Sequence, residues 1–216
     1  MESPPKQHFK SYPAVVCLIT MNLAAFLLLP IAVGSKYASN PVHFGANYGP
    51  LTLSGEWWRL VSSIFVHIEL LHLLGNMVVL WLLGSRLERA IGSLRFLIVF
   101  LFCGIVGNIA VLIAAPFSLS YGASAGVGGA AGGLVCVYAN RAFQKRQRIR
   151  LTLWIVVVAV YLVLMAMSDK NHVIHLSSVV AGLVLTFMFL RFWPGGMTLL
   201  NAPHLTPDKP TVPQLL

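Results

Sequence analysis

Ser124 and His175 are the residues of this sequence best suited to covalent chemistry, and each lies within a strongly apolar run of the chain. Polar residues are costly in such runs and are candidates for function, although a lone serine there commonly bonds back to its own helix. A serine beside a histidine can perform acyl transfer, in which the imidazole accepts the hydroxyl proton and the oxygen attacks a carbonyl carbon. The resulting oxyanion needs hydrogen-bond donors, which His72, Asn76 and the backbone N–H of Ser124 can supply.

Helix geometry places Ser124, His175 and His72 at a similar height. Ser124 lies 17 residues before Arg141, and His175 lies 16 residues before Arg191, which correspond to about 25 and 24 Å of helix. His72 lies 14 residues before the arginine of its own predicted helix, or about 21 Å. The three residues therefore fall within about 5 Å of one height, in the outer half of a hydrocarbon core about 30 Å thick.

The composition indicates that lipid, and not water, surrounds most of the chain. Of its 216 residues, 57% are hydrophobic and 10% are charged, whereas soluble domains carry about 25% charged residues. A transmembrane helix needs about 20 mostly apolar residues, and six runs qualify: 13–33, 62–84, 95–115, 121–140, 151–168 and 172–191. We therefore predict an all-α membrane protein built as a bundle of six transmembrane helices.

The distribution of Lys and Arg predicts the orientation of this bundle. Cytoplasmic segments are enriched in these residues. One side of the predicted helices carries Lys6, Lys10, Arg86, Arg89, Arg95, Arg141, Lys145, Arg146, Arg148, Arg150, Arg191 and Lys209, and the other carries Lys36, Arg59 and Lys170. Both termini are therefore predicted to be cytoplasmic. The net charge of +9 is spread between apolar runs and forms no single basic stripe, so no nucleic-acid partner is expected.

The chain is predicted to have three parts. Residues 1–12 form a cytoplasmic segment, residues 13–192 form the membrane domain, and the Pro-rich residues 193–216 form a flexible cytoplasmic tail. Within the membrane domain, residues 34–61 form an extracytoplasmic loop whose Trp and Arg residues suit the headgroup layer. The first apolar run is too long for a signal peptide, and the lack of an Arg/Ser-rich presequence favours a prokaryotic plasma membrane.

The fourth apolar run is unusually poor in side-chain bulk. Residues 122–133 contain six glycines and four alanines. Such a surface lets neighbouring helices approach closely. We therefore expect this helix to pack centrally and to hold Ser124 rigidly beside its neighbours.

Together these residues resemble the pattern of the rhomboid family of intramembrane serine proteases. The resemblance covers about residues 55–190, in order. No single motif is specific, but the set identifies the family. Its parts are Trp58-Arg59 in the first loop, His67, His72 and Asn76 on the second predicted helix, Glu88 and Gly92 after it, Gly122-Ala123-Ser124-Ala125 at the fourth, and His175, Ser178 and Gly182 on the sixth.

The resemblance implies a six-helix rhomboid-like bundle that acts as an intramembrane serine endopeptidase. Its substrates would be transmembrane segments of other membrane proteins, unwound near helix-destabilising residues, and its other partners would be membrane lipids. No cofactor is implied, and the cavity would be water-filled and open on the extracytoplasmic side. The implied roles are a catalytic dyad of Ser124 and His175, an oxyanion site of His72, Asn76 and the Ser124 amide, and supporting positions at His67, Gly122, Trp58 and Arg59.

The sequence departs from the family pattern at four positions, of which Ala125 and Gly128 motivate an alternative function. Ala125 stands where the family usually has glycine, and Gly128 stands where many members carry an aromatic residue that stacks on the histidine. Ile174 and Ser178 are larger than the family's usual residues. The alternative is a catalytically inactive rhomboid-like protein that binds membrane helices and affects their trafficking or degradation.

Two further classes of function receive little support. A small transporter or channel would also place His and Asn in the membrane, but the sequence has no internal repeat and no matching pair of interrupted helices. His67 and His72, with His175, are conceivable metal ligands. Because residues five apart on one helix point about 140° away from each other, no metal site is expected.

Overall fold

The computed structural model describes residues 12–34, 40–140, 149, 152–153, 155–160 and 172–193. The predicted N-terminal segment up to residue 11, the tail from residue 194 and most of the fifth predicted helix lie outside the described residues. So do ten of the basic residues used above to predict the orientation: Lys6, Lys10, Lys36, Arg141, Lys145, Arg146, Arg148, Arg150, Lys170 and Lys209.

Helices make up most of the described chain. They are α1 (Pro13–Val33), α2 (Gly49–Thr52), α3 (Arg59–Ser62), α4 (Leu70–Val79), α5 (Ser85–Ile91), α6 (Ser93–Ala114), α7 (Ser124–Asn140) and α8 (His172–Phe192), with 3₁₀ turns at Pro41–Phe44 and Ser63–Phe65. Residues 155–160 are also helical. One antiparallel pair joins β1 (Asn47–Tyr48) to β2 (Leu119–Ser120), with Asn47 opposite Ser120.

Four described helices are long and apolar enough to cross a membrane. They are Pro13–Val33, Leu70–Ile91, Ser93–Ala114 and His172–Phe192. The protein is therefore a helical membrane protein. The helix α7 has 17 residues, and all but four of them are buried against its neighbours.

The predicted start of the second span at residue 62 is wrong. The chain there forms the 3₁₀ turn Ser63–Phe65 and is extended at Val66 and Glu69, so the spanning helix begins at Leu70. It continues through a π-helical turn, Leu80–Gly84, to Ile91. Hydropathy records composition and not backbone direction, which is why it did not detect this turn. His67 consequently precedes the helix that carries His72.

Glu88 fixes α5 to the beginning of α1. Its carboxylate is buried and accepts hydrogen bonds from the backbone N–H groups of Ala14 and Val15, at 3.0 and 2.9 Å, and from Ser93 Oγ at 2.6 Å. The first N–H groups of a helix have no partner within it, and a negative charge there is favourable. Glu88 therefore orients α1 on the bundle.

The small residues of α7 allow close packing against α8 and α6, as predicted. A Cβ atom added at Gly182 would overlap the carbonyl oxygen of Gly129, and one added at Gly132 would overlap that of Val179. On the α6 side, a Cβ at Gly126 would lie 2.6 Å from the ring of Phe100. The helix that begins at Ser124 is thus held between two spanning helices.

Candidate active site

Ser124 and His175 lie at the same level of two adjacent parallel helices. The contacting pairs Gly128–Ser178, Gly132–Val179 and Gly129–Gly182 differ by 47 to 53 in residue number, and the difference of 51 between Ser124 and His175 falls within that range. Gly128 follows Ser124 by one turn on the same face, and a Cβ there would lie 3.6 Å from the His175 carbonyl oxygen. Both side chains are buried. The structure therefore brings these two residues to facing sides of α7 and α8.

A tight turn at Gly122 leads into Ser124. Gly122 has a φ of 105°, and its N–H donates to the carbonyl oxygen of Ser63 at 2.8 Å. A Cβ atom at Gly122 would lie 2.9 Å from His72 Cε1 and 3.4 Å from Asn76 Nδ2. His72 and Asn76 thus lie against the backbone two residues before Ser124. Only glycine satisfies both the positive φ and this contact.

His67 supports the same turn from the other side. Its Nε2 lies 2.9 Å from Asn76 Nδ2 and 3.4 Å from the backbone nitrogen of Ala123. Both of those atoms are donors, so Nε2 must accept. Burial, and secondarily the charge of His72, lower the pKa of His67, which precedes the spanning helix, to about 4. A neutral His67 therefore fixes the amide of Asn76.

The two histidines are closer than residues five apart on one helix would be. Their ring centroids lie 5.0 Å apart, because His67 is outside the helix. The argument against a shared metal ion assumed that both histidines lie on one helix, and that assumption was wrong. The structure nevertheless contains, within the described ranges, no group of three His, Cys, Asp or Glu residues that could hold a metal ion.

His72 sits between this buried cluster and the outside. Its side chain is 33% exposed, and its Nδ1 lies 3.9 Å from a carboxylate oxygen of Glu69. The ring of Tyr121 makes an edge contact with the ring of His72, with centroids 6.0 Å apart. A ring nitrogen of His72 that carries hydrogen can therefore donate a hydrogen bond on this exposed side of the cluster.

The methyl group of Ala125 points away from this cluster. It packs in a small buried group with Val111 and Ile174, and a Cβ at Gly107 would lie 3.1 Å from it. Gly107 on α6 thus leaves room for the two larger residues. Ala125 and Ile174 are accommodated behind the site and not within it.

Gly128 and Ser178 are also matched to each other. Ser178 is fully buried, and its hydroxyl donates to the His175 carbonyl oxygen at 2.9 Å. A Cβ atom at Gly128 would lie 2.5 Å from that hydroxyl. Ser178 therefore occupies the space that Gly128 leaves, and it bonds to the turn that carries His175.

A cavity of about 500 Å³ opens beside Ser124. His72 and Asn76 form part of its wall. The other lining residues are almost all apolar: Leu71, Gly75, Val79, Leu82, Leu83, Val127, Ala131, Val157, Val158 and Val160. The cavity is thus bounded by α4, the π-helical turn, α7 and the helical residues 155–160.

Trp58 and Arg59 hold the first loop and do not line this cavity. The guanidinium of Arg59 bonds to Glu56 Oε2 at 2.7 Å and to the carbonyl oxygens of Val42 and Ala46, and it lies 4.7 Å from the ring centroid of Trp58. Arg59 is buried, whereas Trp58 is exposed. The contacts of these two residues are therefore with the first loop and not with the cavity.

Sequence reasoning assigned no role to Asn108 or Tyr121. Tyr121 contacts His72, and Asn108 is buried within α6 and bonded to Leu60, Ser63 and Ser120. An amide in an apolar span is the only sequence signal for Asn108, and it does not identify the partners.

Comparison with known proteins gives one consistent result. Residues 54–192 match the sequence pattern of the Rhomboid domain. The rhomboid protease GluP of Bacillus subtilis is 41% identical over 119 residues, which are 55% of this chain and 23% of GluP. The rhomboid protein YdcA of the same species is 30% identical over 83% of this chain and 90% of its own length. The rhomboid protease AarA of Providencia stuartii is 25% identical over 80% of this chain and 71% of its own.

Proposed function

The chain belongs to the rhomboid family, and we propose that it is a serine endopeptidase that cleaves transmembrane segments of other membrane proteins. The observation that carries this proposal is the meeting of four groups at the N-terminal end of α7. Ser124 begins that helix, His175 lies level with it on α8, and His72 and Asn76 contact the preceding turn. Several proteins of similar sequence are named as rhomboid proteases.

The proposed reaction proceeds in two steps. The His175 imidazole accepts the proton of Ser124 Oγ while that oxygen bonds to the substrate carbonyl carbon. The oxyanion receives hydrogen bonds from His72, Asn76 and the Ser124 N–H, which is at the positive end of the α7 dipole. The imidazolium then protonates the departing amine as the C–N bond breaks. Water, deprotonated by His175, hydrolyses the acyl-enzyme and restores Ser124.

The cavity supports a transmembrane segment as the substrate. Its walls are apolar apart from His72, Asn76 and Ser124, so an apolar stretch of polypeptide gains by entering it. The carbonyl groups of an intact helix are bonded within that helix. The substrate must therefore unwind locally before Ser124 can attack, which favours segments with helix-destabilising residues.

The alternative of an inactive rhomboid-like protein loses part of its motivation. Ala125 and Ile174 pack behind the site against Val111. Ser178 fills the space beside Gly128 and bonds to the His175 carbonyl group. The departures from the family pattern thus have local structural partners. A prokaryotic plasma membrane remains the proposed location, with its lipids as the surrounding partners.

A fluorophosphonate probe tests the reactive pair directly, because it forms a covalent bond only with an activated serine. Purified protein in detergent should be labelled at Ser124, and both Ser124→Ala and His175→Asn should abolish labelling while the protein stays folded. Ser177→Ala is the matched control, since Ser177 also lies on α8 and bonds only to the Ile174 carbonyl group among the described contacts. Unlabelled wild-type protein that is demonstrably folded would favour the inactive alternative.

A further inference from the structure

We propose that Asn108 is a positioning residue that holds the turn before Ser124 in its reactive place. This inference rests on the proposed function, and it concerns a residue of α6 that contacts none of the proposed reacting groups in the described bonds. Asn108 is 2% exposed and lies within the span Ser93–Ala114. A buried amide is costly unless its donors and acceptors are paired.

The side chain of Asn108 bonds to three residues from two separate parts of the chain. Its Nδ2 donates to the carbonyl oxygen of Leu60 at 2.9 Å and to Ser63 Oγ at 2.8 Å. Its Oδ1 accepts from Ser120 Oγ at 2.7 Å. The backbone oxygen of Asn108 accepts from Asn47 Nδ2 at 3.2 Å. One residue therefore joins α6 to the first loop and to the segment that leads into α7.

Two of these bonds, to Ser63 and to Ser120, connect Asn108 to the turn at Gly122. Ser63, which accepts from Asn108 through its hydroxyl, also accepts from the Gly122 N–H through its carbonyl group. Ser120, the last residue of β2, is two residues before Gly122. Gly122 in turn lies against His72. Asn108 thus fixes both the turn and the segment to which the turn is bonded.

Removal of the Asn108 side-chain amide should displace Ser124. An apolar side chain at position 108 would leave Ser63, Ser120 and the Leu60 carbonyl group without their partner in a buried region, and the turn would relax to satisfy them. A misplacement of 1 Å at a reacting group can cost about 100-fold in rate. The effect should therefore fall on the rate constant for acylation more than on substrate binding.

The chain offers a matched control in Asn22. This residue is also fully buried in a spanning helix, but its Nδ2 bonds only to Leu18 of the same helix among the described residues. Asn108→Leu should lower the fluorophosphonate labelling rate of Ser124 by about 10-fold or more, with kcat falling more than KM rises. Asn22→Leu should leave the labelling rate within about 2-fold. Asn108→Asp keeps the acceptor for Ser120 and should recover part of the rate.

Hydrogen exchange provides a readout that does not depend on catalysis. The Gly122 amide should exchange faster in Asn108→Leu than in wild type or Asn22→Leu, because its acceptor Ser63 is released. If Asn108→Leu does not fold, Ser120→Ala removes one of the same bonds and should show both effects in weaker form. Unchanged exchange at Gly122 in folded variants would overturn the inference, as would equal labelling of Asn108→Leu and Asn22→Leu. Wild type that is never labelled would overturn the proposed function instead, and the exchange result would still decide the role of Asn108.

Discussion

At the scale of single residues, Gly122 links the backbone conformation before Ser124 to the positions of His72 and Asn76. Its positive φ turns the chain into α7, and its missing side chain lets His72 and Asn76 approach the backbone. Either demand alone would favour glycine. Both together make this position sensitive to one methyl group.

Comparing Gly122→Ala with a second glycine variant should distinguish the effect of the positive φ from the effect of the contact with His72. Alanine at positive φ costs about 1–2 kcal/mol, and its Cβ would also displace His72. The matched control is Gly55→Ala, because Gly55 has a φ of 121° with no atom within 4 Å of an added Cβ. Both variants should lose thermal stability because of the positive φ, Gly122→Ala the more because His72 must also move, and only Gly122→Ala should lose about 100-fold in labelling rate. Equal rates in the two variants would show that contact with His72 does not matter.

Residue types indicated the candidate reactive groups but not what surrounds them. Ser124, His175, His72 and Asn76 are chemically distinctive in an apolar chain, and counting along helices places the first three at one height. The orientation of the Ala125 methyl group could not be predicted, because it depends on Gly107 from another helix. Partners so distant in sequence leave no local pattern.

At the scale of helices, the site depends on the contact between α7 and α8. Gly129, Gly132 and Gly182 let the backbones meet, so that Ser124 and His175 lie at the same level near the beginnings of the two helices. Apolar attraction between helices is weak in lipid, where packing of small residues drives association. The glycines of α7 thus have a direct role in the geometry of the site.

Gly182→Ala should push these helices apart. Overpacking costs about 1–3 kcal/mol, and the shift should lower the cleavage rate because His175 moves with α8. Gly75→Ala is the stability control, since an added Cβ at Gly75 meets no atom within 4 Å. Thermal unfolding should show a lower midpoint for Gly182→Ala and an unchanged or higher midpoint for Gly75→Ala. A similar midpoint for both variants would contradict close packing of α7 on α8.

Element boundaries were predictable where an apolar run is uninterrupted. The bounds of α1, α6 and α8 agree with the sequence to within two residues. The start of α4 differs by eight residues, because the preceding turn is stabilised by long-range bonds, such as that from Gly122 to Ser63. Composition does not contain that information.

At the scale of the whole molecule, the composition correctly predicted a helical membrane protein, and the order of motifs correctly predicted the rhomboid family. Six spans and two cytoplasmic termini stay predictions, because much of the chain that decides them lies outside the described residues. The orientation matters to the chemistry, since it sets the side from which water reaches Ser124.

Cysteine accessibility should reveal this orientation. Leu53 in the first loop and Ile149, which lies among the basic residues between positions 141 and 150, are both exposed. The native residues Cys17, Cys103 and Cys136 can be replaced by alanine. In intact cells a membrane-impermeant maleimide should label Leu53→Cys, and it should label Ile149→Cys only after lysis. The reverse pattern would place the site on the cytoplasmic side.

The most direct test of the central claim is cleavage of a transmembrane substrate by the purified protein in proteoliposomes. Intact mass measurement of the fragments should locate one cut within the apolar segment of the substrate. Ser124→Ala should lower the rate by at least about 1,000-fold while its unfolding midpoint stays close to that of wild type. Cleavage by Ser124→Ala at the wild-type rate would contradict the account, and so would the absence of cleavage by wild type across a panel of substrates with unstable helices.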